Sequence, residues 1–195
     1  MLDKSVPFFD ILMHRKKGTP IKRHPLPDGY DIVLFKPGDE WNWAKIEASV
    51  LEFDDEGAAL RYFQADRMPY VRELVRRCAF VVDPKGEKVG TATAWWNYTG
   101  VRRDPWLHWV AVKPPFQGLG FGKALVGEVL SLMRAIEGDR DYYLHTQTWS
   151  HKAVNMYENA GFEITDERNL AGYENGHYDE AMQVLKSVRR QYIYG

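Results

Sequence analysis

Gly118, Gly120 and Gly122 stand at alternate positions in the stretch VKPPFQGLGFGKALV (112–126), between a Pro-Pro break and a helical pattern. Glycine admits backbone conformations closed to other residues and lets another molecule approach the main chain. A glycine turn feeding a helix also aims unbonded N–H groups at one spot, where the helix dipole favours negative charge. The chemistry on offer is capture of a pyrophosphate-type anion, and the alternative use of the glycines is a tight strand-to-helix turn. Two phosphate motifs are excluded. Lys123 follows Gly122 without the earlier glycine of G-x-x-x-x-G-K-[ST]. G-x-G-x-x-G fails because position 123 is lysine and the loop lies in mid-chain.

Such a loop needs a strand before it and a helix behind it. PWLHWVAV (105–112) is an apolar run that reads as a strand, and Leu125, Val129, Leu132 with Met133, and Ile136 recur at helical spacing up to Gly138. Upstream, DIVLF (31–35) reads as a first strand. AFVVD, the turn Pro84-Lys85-Gly86-Glu87 and VGTATAWWNY read as a hairpin, so that strands two to four form an antiparallel meander. Asp39 suits a helix N-cap before the apolar face Trp43, Ile46, Val50 and Phe53; Asp54 starts a second helix, and PYVRELVRRC (69–78) opens a third. Downstream, YYLHTQT (142–148) is a strand, HKAVNMYENA (151–160) a helix closed by Gly161, and FEIT (162–165) a strand, which implies a parallel crossover. Residues 179–190 suit a helix through Ala181, Val184, Leu185 and Val188, or a strand over 181–185. Residues 1–29 hold six prolines or glycines and read as an extended arm outside the core, anchored by Phe8, Phe9, Ile11 and Leu12.

At 195 residues the chain is expected to form one domain over 30–195 behind that arm. It has no apolar run near the ~20 residues of a membrane span. A formal net charge of −1 removes a general electrostatic case for nucleic acid, and Arg76-Arg77, Arg102-Arg103 and Arg15-Lys16-Lys17 read as solvated clusters. Cys78, the single cysteine, can form no internal disulfide and has no partner at a metal-ligand spacing, so no metal is expected. The N-terminal apolar patch precedes its positive charge, the reverse of a secretory signal, and a cytoplasmic location is expected.

Gln117, Gly120 and Gly122 in the pattern Q-x-x-G-x-G, preceded by Val112 and Pro114, resemble the acyl-CoA loop of the GNAT superfamily of N-acyltransferases. Ala153, Tyr157, Gly161 and Phe162 match that family's A-x-x-x-Y-x-x-x-G-F pattern in the next βα unit. The resemblance spans roughly residues 30–167 and is dense over 105–162. It implies an α+β fold, a mixed α/β sandwich with an antiparallel meander in the first half and a parallel crossover at the acyl-CoA site, flanked by helices.

The resemblance also implies acetyl-CoA as acyl donor. Val110, Ala111 and Val112 would offer backbone groups to pantetheine and the thioester, Gly118, Leu119, Gly120, Phe121, Gly122 and Lys123 would hold the pyrophosphate, and Gln117 of the motif belongs to the same cofactor site. Tyr157 matches the tyrosine that bonds or protonates the CoA sulfur. Where the family often has Asn, this chain has Ser150, which leaves that cofactor contact open. Amine acetylation needs a neutral nucleophile, and a histidine titrating near ~6.5 can take its proton. His108 and His145 are the candidate bases.

Acceptor recognition would fall to the first helices and the long strand, with Trp41, Trp43, Asp54, Asp55, Glu56, Trp95, Trp96 and Tyr98. The acceptor is a small-molecule or peptide amine, otherwise unidentified. The rival reading is a non-catalytic acyl-CoA-binding or sensing module, which has no use for Tyr157 beside a histidine. A homodimer through the aromatic arm is open.

Overall fold

The computed structural model describes residues 2–168, 170–173 and 175–194. Its strands are β1 (Asp10–Arg15), β2 (Asp31–Leu34), β3 (Cys78–Val82), β4 (Lys88–Thr99), β5 (Arg102–Val112), β6 (Tyr142–Gln147) and β7 (Glu163–Ile164). Its helices are α1 (Glu40–Ser49), α2 (Glu56–Asp66), α3 (Val71–Arg77), α4 (Phe121–Glu137), α5 (His151–Asn159) and α6 (Tyr178–Tyr194). The strands follow the order β2-β3-β4-β5-β6-β1-β7. β2, β3 and β4 pair antiparallel, β5 meets β6 in parallel with Trp106 opposite Tyr143, and β1 is antiparallel to both β6 and β7. This is the expected α+β fold with a mixed sheet, and residues 179–190 are helical.

The chain divides into two compact units, one holding residues 21–95 and 107–138, the other 2–20, 96–106 and 139–195. In the first, α4 buries Ala124, Leu125, Val129 and Met133, and α1 and α2 bury Trp43, Ile46 and Phe63. Fully buried aliphatic or aromatic side chains contribute about 1.5–3 kcal/mol each, so these faces hold the helices on the sheet. Asp39 does not cap α1. It takes an αR conformation, and its carboxylate accepts from the Lys36 N–H and from the Lys88 ammonium instead. The second helix is capped by Asp55, which accepts from the Ala58 N–H at 2.7 Å, one residue beyond the expected start.

In the second unit the largest departure from the sequence reading lies at β1. Residues expected in an arm outside the core form a strand between β6 and β7, with Ile11, Leu12 and Met13 at most 1% exposed. Arg15 at its end is buried and donates to the carbonyls of Ala160, Thr19 and Pro20, which closes the C-terminus of α5. Gly161, the motif glycine after α5, has φ +90°, and a Cβ there would lie 2.6 Å from Thr19 Cγ2.

Candidate active site

Each unit carries part of the predicted constellation. His108, Val110, Ala111, Val112 and the glycine loop belong to the first, and His145, Ser150 and Tyr157 to the second.

In the first unit β5 runs into the loop through a short 3-10 turn at Pro114–Phe116. The Gln117 side chain donates to the Val112 carbonyl at 2.8 Å, so it braces the loop, and that carbonyl is already engaged. Gly118 and Gly120 have φ of +81° and +90°, and a Cβ on either would meet no atom within 4 Å. Their conformation favours glycine, while the space beside them is empty of protein. Gly120 is the N-cap of α4, and Phe121, Gly122 and Lys123 are its first three residues, whose N–H groups have no intrahelical carbonyl to bond. Lys123 is exposed beside them. The result is a run of main-chain donors at the positive end of a seventeen-residue helix, suited to an anion.

His108 stands earlier on β5, half-buried. Its Nδ1 lies 3.0 Å from Nη2 of Arg67, whose guanidinium also sits 3.4 Å from the Tyr62 hydroxyl and 4.6 Å from the Trp95 ring centre. A guanidinium only donates. Nδ1 therefore accepts, and the neutral ring carries its proton on Nε2. Protonating Nδ1 would break this bond and set two cations together, a repulsion of about 4 kcal/mol for charges ~4 Å apart at an effective dielectric near ~20. Arg67 is 4% exposed; its Nε lies 3.0 Å from Asp66 without hydrogen-bond alignment, and its Nη1 has no protein partner among the described residues.

The next residue, Trp109, has φ +52° inside a strand. For a bulky non-glycine residue this costs of order 1–3 kcal/mol, and it breaks the regular pleat just before Val110. The Trp109 ring offsets some of that cost by packing against Trp43, Phe53 and Tyr62 at centroid distances of 5.3, 5.6 and 5.3 Å. Glu47 on α1 is 1% exposed with Oε1 unbonded among the described residues. Burial, reinforced by the nearby Glu52 charge, holds its carboxyl well above the usual range. Of the aromatic and acidic acceptor candidates, Trp43 is fully buried and serves this core, whereas Trp41 is half exposed.

In the second unit Tyr157 is 7% exposed on α5 and packs edge-on to Phe162, the last residue of its motif. Ser150 precedes α5 at the N-cap position without a side-chain capping bond. His145 sits on β6 with Nε2 2.8 Å from the Asp10 carboxylate, and its ring stacks on Tyr173 at 4.1 Å and 15°. The sequence reading missed Asp10, Arg67 and Tyr173. Each lies far along the chain from the histidine it touches, and only an alternating pattern in residues 10–15 could have flagged β1, which the buried run Ile11-Leu12-Met13 obscures.

The fold is that of solved N-acetyltransferases. A GCN5-related N-acetyltransferase from Sphaerobacter thermophilus superposes with a TM-score of 0.61 at 24% identity, over 80% of this chain and 48% of that one. A GNAT-family acetyltransferase from Colwellia psychrerythraea gives 0.59 at 14% identity, over 83% and 55%. Residues 41–162 match the Acetyltransferase (GNAT) family, and the chain belongs to it. Curated mycothiol acetyltransferases of Salinispora tropica and Salinispora arenicola are 28% and 29% identical over 160 residues, 77% of this chain. The chain spans half the length of these relatives. Among the described residues no helix is long and apolar enough to cross a membrane, and no group of three or more His, Cys, Asp and Glu could hold a metal ion.

Proposed function

We propose that the protein is an N-acetyltransferase that moves an acetyl group from acetyl-CoA to a primary amine by direct attack. The observation that carries this reading is the cradle at Gly118 and Gly120, where two positive-φ glycines leave open space at the start of α4. In this reading the N–H groups of residues 118–123 bind the pyrophosphate, and backbone groups of Val110 and Ala111 align the pantetheine arm and thioester. Lys123 adds positive charge at the loop's exposed side. A histidine takes the proton of the amine, whose lone pair attacks the thioester carbonyl carbon to give a tetrahedral intermediate. As the C–S bond breaks, the Tyr157 hydroxyl gives its proton to the departing thiolate. Ser150, with a shorter reach than an amide, contributes at most one hydrogen bond.

The acceptor panel begins with small-molecule amines, because the curated relatives are named mycothiol acetyltransferases, and continues to peptide amines. A cytoplasmic setting belongs to the same reading, in which the one cysteine stays a thiol. The test is calorimetric titration of acetyl-CoA into the purified protein, with NADH in a parallel cell, followed by CoA release across the panel. Saturable binding of acetyl-CoA with turnover of an amine is the expected result. No binding would sink the reading, and binding without turnover of any amine would favour an acyl-CoA-binding module.

A further inference from the structure

The two histidines differ in which nitrogen has a lone pair to offer. On His145 the partner of Nε2 is a carboxylate, which accepts, so Nε2 carries the proton and the neutral ring keeps its lone pair on Nδ1. Among the described residues Nδ1 has no hydrogen-bond partner, and the side chain is 27% exposed. On His108 the assignment of protons is the same, but the lone pair on Nδ1 is taken by Arg67. One imidazole is set up to accept a proton and the other is not.

Asp10 reaches His145 because β1 lies beside β6. Leu12 is paired directly with His145 and Asp10 with Gln147, so Asp10 is the diagonal neighbour on the same face of the sheet. The ring is held on a second side by Tyr173, which stacks in turn on Trp106 at 5.7 Å. The neighbouring Ala171, at φ +53°, fixes that turn by donating its N–H to Thr99 Oγ1 at 3.0 Å. One edge and one face of the imidazole are thus fixed by the protein, and the Nδ1 edge is left for a ligand.

We infer that Asp10 is a positioning residue that holds His145 as the Nε2–H tautomer, and that His145, through Nδ1, is the base for the amine. The inference rests on the acetyl-transfer reading. The amine N–H proton passes to Nδ1, the nitrogen lone pair forms the N–C bond, the C–S electrons leave with sulfur, and Tyr157 supplies the sulfur with a proton and regains one from solvent. His145 then carries a positive charge that the Asp10 carboxylate stabilises until the proton returns to solvent.

The test compares Asp10→Asn, Asp10→Glu, His145→Gln and His108→Gln in CoA-release assays with glucosamine, cysteine, lysine and glycylglycine as acceptors, alongside long-range ¹H–¹⁵N spectra of the imidazoles. The wild-type His145 signals should be those of an Nε2–H tautomer, and Asp10→Asn should mix or reverse them. In turnover, Asp10→Asn should lose about 10²-fold to 10⁴-fold, the range of general-base catalysis and of a base in the wrong tautomer, with the KM for acetyl-CoA unchanged within about twofold. Asp10→Glu should recover part of the loss, which a purely structural role would not grant. His145→Gln should lose at least about tenfold more turnover than His108→Gln. An active wild type whose Asp10→Asn variant keeps its turnover, or whose His108→Gln variant is the more damaged, overturns this assignment alone. A wild type that binds acetyl-CoA but releases no CoA with any acceptor overturns the transfer reading as well.

Discussion

Gly120→Glu separates a phosphate cradle from a mere turn. At φ +90° the backbone is left-handed, and a side chain there costs about 1–2 kcal/mol. The lower entropy of the unfolded chain offsets about 0.4–1 kcal/mol of that. No atom lies within 4 Å of the added Cβ, so no clash enlarges the cost. The net loss of stability should be near ~1 kcal/mol, a few degrees in Tm. Gly86→Glu is the matched control, since Gly86 has φ +85° and equally open surroundings but sits in a hairpin turn remote in sequence from the loop. Both variants should melt a few degrees below wild type. Only Gly120→Glu should lose acetyl-CoA, because its carboxylate would stand where the pyrophosphate must lie. Loss of one or two charge-assisted hydrogen bonds at about 1.5–3 kcal/mol each corresponds to at least tenfold in Kd. Calorimetric titration with acetyl-CoA measures it. A folded Gly120→Glu protein that binds within threefold of wild type would refute the cradle, and an equal loss in Gly86→Glu would trace the effect to stability.

Tyr157→Phe keeps the packing on Phe162 and removes one hydroxyl, so turnover should fall by about 10²-fold or more while acetyl-CoA affinity changes little; unchanged turnover would reject the acid role. Burial, with the Glu52 charge beside it, raises the Glu47 carboxyl well above the usual range, so the native state binds more protons than the unfolded chain above the ordinary carboxyl range. Wild-type stability should therefore decline as pH rises from about 4.5 toward the raised native value. Denaturant midpoints at pH 5 and pH 8 should show a smaller decline in Glu47→Gln, and parallel curves would contradict the assignment. Cys78 is fully buried, and burial pushes its thiol up to about 11. Ellman's reagent at pH 8 should find almost no reactive thiol in the native protein and one equivalent in guanidinium chloride; rapid native labelling would show that β3 opens readily.

What was legible in the sequence was local. The glycine loop and the A-x-x-x-Y-x-x-x-G-F segment each complete their geometry within a dozen residues, so residue type and spacing suffice to place Gly120 at a helix start and Tyr157 on the buried face of α5. β1 failed that test for a physical reason. β1 is covered on both faces, with Ile11, Leu12 and Met13 in succession all buried, so the segment shows no alternation, and the prolines and glycines that follow made the whole of it resemble a loose arm. Asp39 has the composition of a cap and the position of one, yet its carboxylate is drawn to Lys88, a residue 49 positions away. The same limit hid the chemistry that distinguishes the histidines. His108 and His145 look alike as single polar residues in apolar strands, and their difference lies in Arg67 and Asp10, a donor and an acceptor brought in by folding from 41 and 135 positions away. Which nitrogen of an imidazole can take a proton is a property of its partner. The misread N-terminal segment supplies that partner for His145, so the misreading of β1 also hid the contact on which the proposed role of His145 rests.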